Sequence, residues 1–188
     1  MTTSIMIVGV GGQGTLLASK LLGNVLIARG YDVKLSEVHG MSQRGGSVVT
    51  YVRYGDAVYS PIVDQGEADY ILSFEILESA RWISYLKEGG VLLTNTQKTW
   101  PMPVITGAAE YPEGIVEKLS AMANVQAVDA LKLAEQAGSP KAVNVVLIGV
   151  LSKRMDIPEE AWIKAIVETV PAKFLELNKR AFALGREA

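Results

Sequence analysis

Two glycine-bearing segments carry the residues best suited to meeting a ligand. The first, Gly9-Val10-Gly11-Gly12-Gln13-Gly14, has the spacing G-x-G-x-x-G and lies between a β-branched run, Ser4 to Val10, and a helix-forming stretch that begins at Thr15. A strand before the pattern and a helix after it are the setting in which it binds dinucleotide phosphates. The first glycine permits the turn and the second lets an anion approach the backbone. The helix N-terminus adds unpaired N–H groups at the positive end of its dipole. The same glycines could instead pack helix closely on strand, so anion contact and plain packing both stand open.

An ordinary NAD site also needs an acid near the end of the second strand, about 20 residues on, to hold the ribose hydroxyls. Glu37 stands near that place, but the chain then enters a second loop, Glu37-Val38-His39-Gly40-Met41-Ser42-Gln43-Arg44-Gly45-Gly46-Ser47. Its guanidinium, imidazole, hydroxyls, amide and glycines suit polar recognition, and an adenosine pocket gives no reason for them. Arg44 could grip a phosphate or carboxylate in a charge-assisted contact worth about 1.5–3 kcal/mol. It could also close a salt bridge to a neighbouring acid. His39 is the sole histidine and reads as a hydrogen-bonded loop residue rather than an acid–base catalyst. The candidate binding residues are Gly9, Gly11, Gly12, Gln13, Gly14 and Thr15 from the first segment. From the second they are Glu37, His39, Met41, Ser42, Gln43, Arg44, Gly45, Gly46 and Ser47. No residue is assigned a catalytic or metal-binding role.

Much other chemistry is excluded. The chain has no cysteine and one histidine, which removes cysteine nucleophiles, thiolate-held iron–sulfur clusters and the common zinc sites. Neither G-x-S-x-G nor G-x-x-x-x-G-K-[ST] occurs, so the α/β-hydrolase elbow and the Walker-type NTPase are out. Eighteen basic residues against 20 acidic ones give a net charge of -2 with no long basic run, which disfavours nucleic acid and acidic membrane as partners. The apolar stretch Val145 to Leu151 is far short of the roughly 20 residues that span a bilayer. With no basic stretch before the first apolar run, a soluble cytoplasmic protein is expected.

The elements that must position these loops follow from period and punctuation. Ser4 to Val10 reads as a strand and Thr15 to Arg29 as a helix with Leu17, Leu21 and Val25 on one stripe and Gly30 as C-cap. Asp32 to Val38 is a second strand, completing a β-α-β unit of a parallel sheet. Ser47 to Tyr54 and Ala57 to Val63, joined at Gly55-Asp56, read as a β-hairpin beside that sheet. Strands follow at Ala68 to Phe74, Val91 to Asn95 and Val125 to Val128. Helices are read at Glu75 to Leu86, Glu113 to Met122 and from Asp129 to Gln136, with a short extended piece at Val104-Ile105. Lys141 to Arg154 is apolar on most sides and suits a helix buried in the domain or against a partner. Asp156 and Glu159 read as a capping box for a helix to about Val170, and a last helix runs from Pro171 to Leu184 with Gly185 as its stop. Asn95 reads as structural, while Asn144 could face a ligand or cap a loop. With 188 residues, 49% of them hydrophobic, the chain can bury roughly 70% of its unfolded surface. The whole reads as a single α/β domain over residues 1–188, Rossmann-like, with a mostly parallel sheet flanked by helices and an added β-hairpin.

The first glycine segment together with Ser36-Glu37-Val38-His39-Gly40-Met41-Ser42-Gln43-Arg44-Gly45-Gly46-Ser47-Val48 resembles the beta subunits of indolepyruvate ferredoxin oxidoreductases. The resemblance runs nearly end to end, through Ala68-Asp69, Leu86 to Gly90, Asn144 to Gly149, and Asn178 with Ala181-Phe182. It covers the gamma-type domain shared by 2-oxoacid:ferredoxin oxidoreductases, whose pyruvate and 2-oxoglutarate members carry a different loop in place of His39 to Gly46. The resemblance implies CoA-dependent oxidative decarboxylation of an arylpyruvate to an aryl-acetyl-CoA, with electrons passed to ferredoxin. It places thiamine diphosphate, Mg and iron–sulfur clusters in a partner alpha subunit and leaves coenzyme A recognition to this chain. A gamma subunit of a pyruvate or 2-oxoglutarate enzyme, an independent NAD-binding Rossmann oxidoreductase and a purely structural subunit are the competing readings.

Overall fold

Apolar runs buried on both faces of a central sheet set the architecture. The structure is a computed structural model that describes residues 2–39 and 45–188, with His39 described by its backbone alone. Its elements in chain order are β1 (Thr3–Val10), α1 (Thr15–Ala28), β2 (Asp32–His39), β3 (Ser47–Gly55), β4 (Ala68–Ser73) and α2 (Ile76–Trp82), then β5 (Leu86–Asn95), α3 (Met102–Ile105) and α4 (Ile115–Ser120). The chain continues through β6 (Asn124–Val128), α5 (Ala130–Ala137), α6 (Val143–Ser152), α7 (Glu159–Thr169) and α8 (Leu175–Glu187). Single 3-10 turns stand at Ile83–Tyr85, Pro140–Ala142 and Ala172–Phe174. The strands form one sheet in the order β2-β3-β1-β4-β5-β6. β1, β4, β5 and β6 are parallel, and β3 is antiparallel to both of its neighbours. The fold is the Rossmann-like α/β arrangement that the sequence predicts.

Successive side chains of a strand point to opposite faces. Accordingly Ile5 and Ile7 of β1, Leu72 of β4 and Leu93 of β5 join the core under α1, α6, α7 and α8. Met6, Val8, Ile71 and Leu92 join a second core with Ile76 of α2 and with Ile115 and Leu119 of α4. Strands covered on both faces read as continuous apolar runs, which is what made them legible.

The expected hairpin of residues 47–54 with 57–63 does not form, because β3 is inserted between β2 and β1. β3 pairs along one edge with β2 and along the other with β1, Val10 lying opposite Ser47. Residues 57–63 therefore find no free edge on β3 and stay irregular, although Val58 and Val63 are buried. The same insertion separates β1 from β2, so these strands do not form the adjacent parallel pair expected of a simple β-α-β unit.

Several ends also differ. Residues Val104 and Ile105 belong to the short helix α3 rather than to an extended piece. No side chain caps α7, because Pro158 occupies the N-cap position and Glu159 lies 3.3 Å from the Arg186 guanidinium of α8. Gly30, by contrast, follows α1 with φ 85°, and Gly30 and Tyr31 donate to the carbonyls of Ile27 and Leu26. These are the paired bonds of a Schellman end.

Every residue of α6 is buried within this chain, against α1, α5, α8 and β5, so no apolar face of that helix is left for a partner. Its contact with α8 explains Gly185, which lies inside α8 rather than at its end. A Cβ on Gly185 would fall 2.0 Å from the Val146 carbonyl oxygen, and one on Gly149 would fall 2.3 Å from that of Phe182. Two glycines thus bring the helix backbones together. Gly185→Ala should destabilise the chain by about 3 kcal/mol, the upper end for overpacking. Gly23→Ala in α1, where a Cβ meets nothing within 4 Å, should be neutral or stabilising by up to about 1 kcal/mol. Urea-unfolding midpoints compare them directly, and equal midpoints for the two variants would refute the close-packing account.

Candidate functional site at the two glycine segments

The first glycine segment divides into residues spent on packing and residues that wall a cleft. A Cβ on Gly9 would lie 2.8 Å from the Gln13 Oε1 and 2.9 Å from the Phe74 Cβ. Gln13 spends its side-chain amide on the fold: Oε1 accepts from the Val10 N–H at 2.8 Å and Nε2 donates to the Phe74 carbonyl at 3.3 Å. These bonds tie the end of β1 to the end of β4. Gly12, with φ 102°, has nothing within 4 Å of a built Cβ. Gly14 starts α1 at φ 86° with no side-chain cap, so among the described residues no side chain claims the first amides of α1. The Asn144 Nδ2 of α6 donates to the Gly14 carbonyl at 3.3 Å, and a Cβ on Gly14 would stand 2.7 Å from that nitrogen.

The second segment folds back onto the first. The Gly11 N–H donates to the Gly46 carbonyl at 2.9 Å and the Gly45 N–H to the Gly11 carbonyl at 3.4 Å. The Ser47 hydroxyl donates to Glu78 of α2, a buried carboxylate that also accepts from the Arg81 Nε at 3.0 Å and the Trp82 Nε1 at 3.3 Å. Gly40, Met41, Ser42, Gln43 and Arg44 lie outside the described residues, as does the His39 side chain.

Two clefts open on either side of the glycine turn. One, of about 410 Å³, is lined by Gly11, Gly12, Gly14, Thr15, Leu16, Glu37 and Val48. The other, of about 450 Å³, is bounded by Gly12, Gln13, Gly14, Gln97, Leu131, Pro140, Lys141, Val143 and Asn144. The structure therefore brings Gly11, Gly12, Gly14, Thr15 and Glu37 together, as the sequence suggests. It adds Gln97 and Lys141, which sequence reasoning missed. Asn144 resolves in both directions, since it holds Gly14 and lines a cleft.

Glu37 sits opposite Thr50 of β3, and β3 lies between it and β1. It is thus two strand spacings of about 4.8 Å from β1 instead of one. That widens the cleft beyond the span of an ordinary NAD ribose contact, and the geometry gives the independent NAD-enzyme reading no support.

A buried polar cluster fixes the other wall. Glu75 caps α2, accepting from the Glu78 N–H at 2.9 Å, the Thr99 N–H at 2.9 Å and the Tyr111 hydroxyl at 2.6 Å. Burial, and then the Glu75 carboxylate, push the Tyr111 phenol well above its ordinary value, so it remains a donor. The Gln97 carbonyl accepts from the Ile76 N–H at 3.1 Å. Asn95 is structural, donating to the Phe74 carbonyl at 3.2 Å and accepting from the Ala130 N–H at 3.2 Å. The signal for Glu75 in the sequence was an acid directly after a strand, at a helix start.

The family model for pyruvate ferredoxin/flavodoxin oxidoreductase matches residues 4–188. The chain belongs to that family. Within this oxidoreductase family, indolepyruvate oxidoreductase subunit IorB of Thermococcus kodakarensis is 47% identical over 98% of this chain and 95% of its own length. The gamma subunit of a keto/oxoacid ferredoxin oxidoreductase from Geobacter sulfurreducens has the same fold, with a TM-score of 0.73 and 26% identity over 98% of this chain and 96% of that one. A 2-oxoglutarate:ferredoxin oxidoreductase from Magnetococcus marinus, solved with 2-oxoglutarate, coenzyme A and succinyl-CoA bound, shares the fold at a TM-score of 0.75. At 18% identity this chain covers 30% of that longer one and is itself covered to 99%. Among the described residues no helix is long and apolar enough to cross a membrane.

The Gln13 bonds give this family member a stability prediction. Gln13→Ala leaves the Val10 N–H and Phe74 carbonyl without those partners and should cost about 1–3 kcal/mol in denaturant unfolding. An unchanged unfolding midpoint would release the side chain from its structural role.

Proposed function

We propose that this chain is the beta subunit of an indolepyruvate ferredoxin oxidoreductase. In that role it supports the CoA-dependent oxidative decarboxylation of arylpyruvates to aryl-acetyl-CoA, with electrons passed to ferredoxin. The observation that carries the proposal is the backbone junction of Gly11 with Gly45 and Gly46, which sets both glycine segments against a cleft. The 47% identity to an indolepyruvate oxidoreductase subunit favours the arylpyruvate branch over the pyruvate and 2-oxoglutarate branches. A purely structural subunit would give no reason for an open Gly12 between two clefts.

The chain's own residues do not fit the redox groups of the reaction. It contains no cysteine, and among the described residues no three His, Cys, Asp or Glu side chains stand together as metal ligands. Thiamine diphosphate, Mg and the iron–sulfur clusters are therefore assigned to a thiamine-dependent alpha subunit, along with the carbanion and electron chemistry they supply. This chain binds and orients coenzyme A, a task for backbone amides at Gly12 and Thr15, the Gly11 N–H being held by the Gly46 carbonyl, and for polar side chains of the Glu37 to Ser47 loop. We place the complex in the cytoplasm and give it no nucleic-acid or membrane partner.

Three measurements test the proposal. The isolated chain should fold and show no 2-oxoacid oxidation, activity appearing on reconstitution with the cluster-bearing subunit; turnover by the chain alone would sink it. In the complex, Gly12→Val should raise the KM for coenzyme A by about 10-fold or more, because a β-branched side chain fills the cleft and resists positive φ. Unaltered coenzyme A dependence would return the turn to packing. Arg44→Ala should lower kcat/KM about 10- to 150-fold, and Arg44→Lys should retain little of the loss-making contact if the guanidinium binds an anion bidentately. Kinetics unchanged in both the coenzyme A and the oxoacid terms would assign Arg44 to an ion pair.

A further inference from the structure

The two clefts that share Gly12 and Gly14 differ in charge. On the β2 side the one charged side chain among the described lining residues is the acid Glu37. On the α6 side the corresponding residue is Lys141, and no acid lines that cleft. Lys141 is rooted in the 3-10 turn Pro140–Ala142, where its N–H donates to the capping Ser139 hydroxyl at 3.3 Å, and the chain runs from there directly into the buried helix α6. Its ammonium has no ion-pair partner among the described residues. Gln97, across the same cleft, accepts from the Asn95 Nδ2 at 3.3 Å, while its own Nε2 donates to no described residue.

A lysine with an unpaired ammonium, a free amide donor and an open glycine backbone make a wall that attracts phosphate. A carboxylate in the neighbouring cleft repels phosphate and accepts from hydroxyl and amide donors. We propose that the cleft between the glycine turn and the Pro140–Ala142 turn receives the phosphate-bearing end of coenzyme A, with Lys141 as its cation. The uncharged pantetheine arm then crosses Gly12 toward Glu37. The proposal rests on the reading of this chain as the coenzyme A-binding subunit and adds to it the direction in which the ligand lies.

Adenosine 3′,5′-bisphosphate and pantetheine, each titrated into the reconstituted complex by calorimetry, separate the two ends. Lys141→Ala should weaken coenzyme A and the bisphosphate by about 10-fold and leave pantetheine unchanged. Glu37→Gln should weaken pantetheine and spare the bisphosphate. Equal losses for both probes in Lys141→Ala, or none, would overturn the orientation. So would a bisphosphate loss confined to Arg44→Ala. Gly12→Val keeps the two readings apart. If it weakens coenzyme A while Lys141→Ala does not, only the direction is wrong; if it leaves coenzyme A binding intact, the coenzyme A reading itself fails.

Discussion

The antiparallel pairing of β3 with β1, with Ser47 opposite Val10, is the constraint on which the site depends. An antiparallel neighbour begins where its partner ends, so the segment leading into β3 must lie beside the segment leaving β1. Both segments are rich in glycine, and the consequence is direct: Gly11 exchanges backbone hydrogen bonds with Gly45 and Gly46. Gly45 takes φ 81° there, a backbone conformation that favours glycine. Glu78 then holds Ser47 from below, so the start of β3 is fixed from two directions.

The helical layer performs the matching task on the other side of the turn. Gly149 and Gly185 let α6 and α8 meet backbone to backbone, which seats α6 deep against the sheet. Its first turn therefore reaches Gly14, where Asn144 donates to the carbonyl. Asn144 buried in an apolar helix would cost free energy without a partner. Here its oxygen accepts from the Val145 N–H at 2.9 Å while its nitrogen holds the turn. Packing at one end of α6 and polarity at the other are parts of one arrangement, and Lys141 is carried into the cleft by the turn that precedes it.

What the sequence made legible, and what it did not, follows from the range of the interactions involved. Buried strands such as Ser4 to Val10 declare themselves locally, and Gly30 announces a helix end because its positive φ is a property of one residue. The partner of β3 is a long-range choice. Residues 57–63 carry the apolar residues and the turn signal of a hairpin strand, yet both edges of β3 are already taken. Gly185 was unreadable for a related reason: a glycine that ends a helix and one that admits a neighbouring backbone look alike until the neighbour is placed. The glycine segments were identifiable as site candidates by type and spacing. Lys141 and Gln97 were not, because nothing in their own neighbourhoods says that α6 begins and β5 ends at the same turn.

The polar cluster at Glu75 shows why the cleft can be open and still well defined. Residues 96–112 leave the sheet with few apolar anchors of their own, since Trp100, Met102 and Ile105 are exposed. A buried carboxylate that collects the Thr99 N–H and the Tyr111 hydroxyl ties both ends of that excursion to the start of α2. Leaving such a carboxylate unsatisfied would be costly, so its donors are strongly held in place. Gln97 lies between β5 and Thr99, and its position beside the glycine turn is inherited from that bond network. A side chain lining the cleft is thereby positioned by residues that do not line it, and rigidity is supplied from behind the cleft while its mouth stays free.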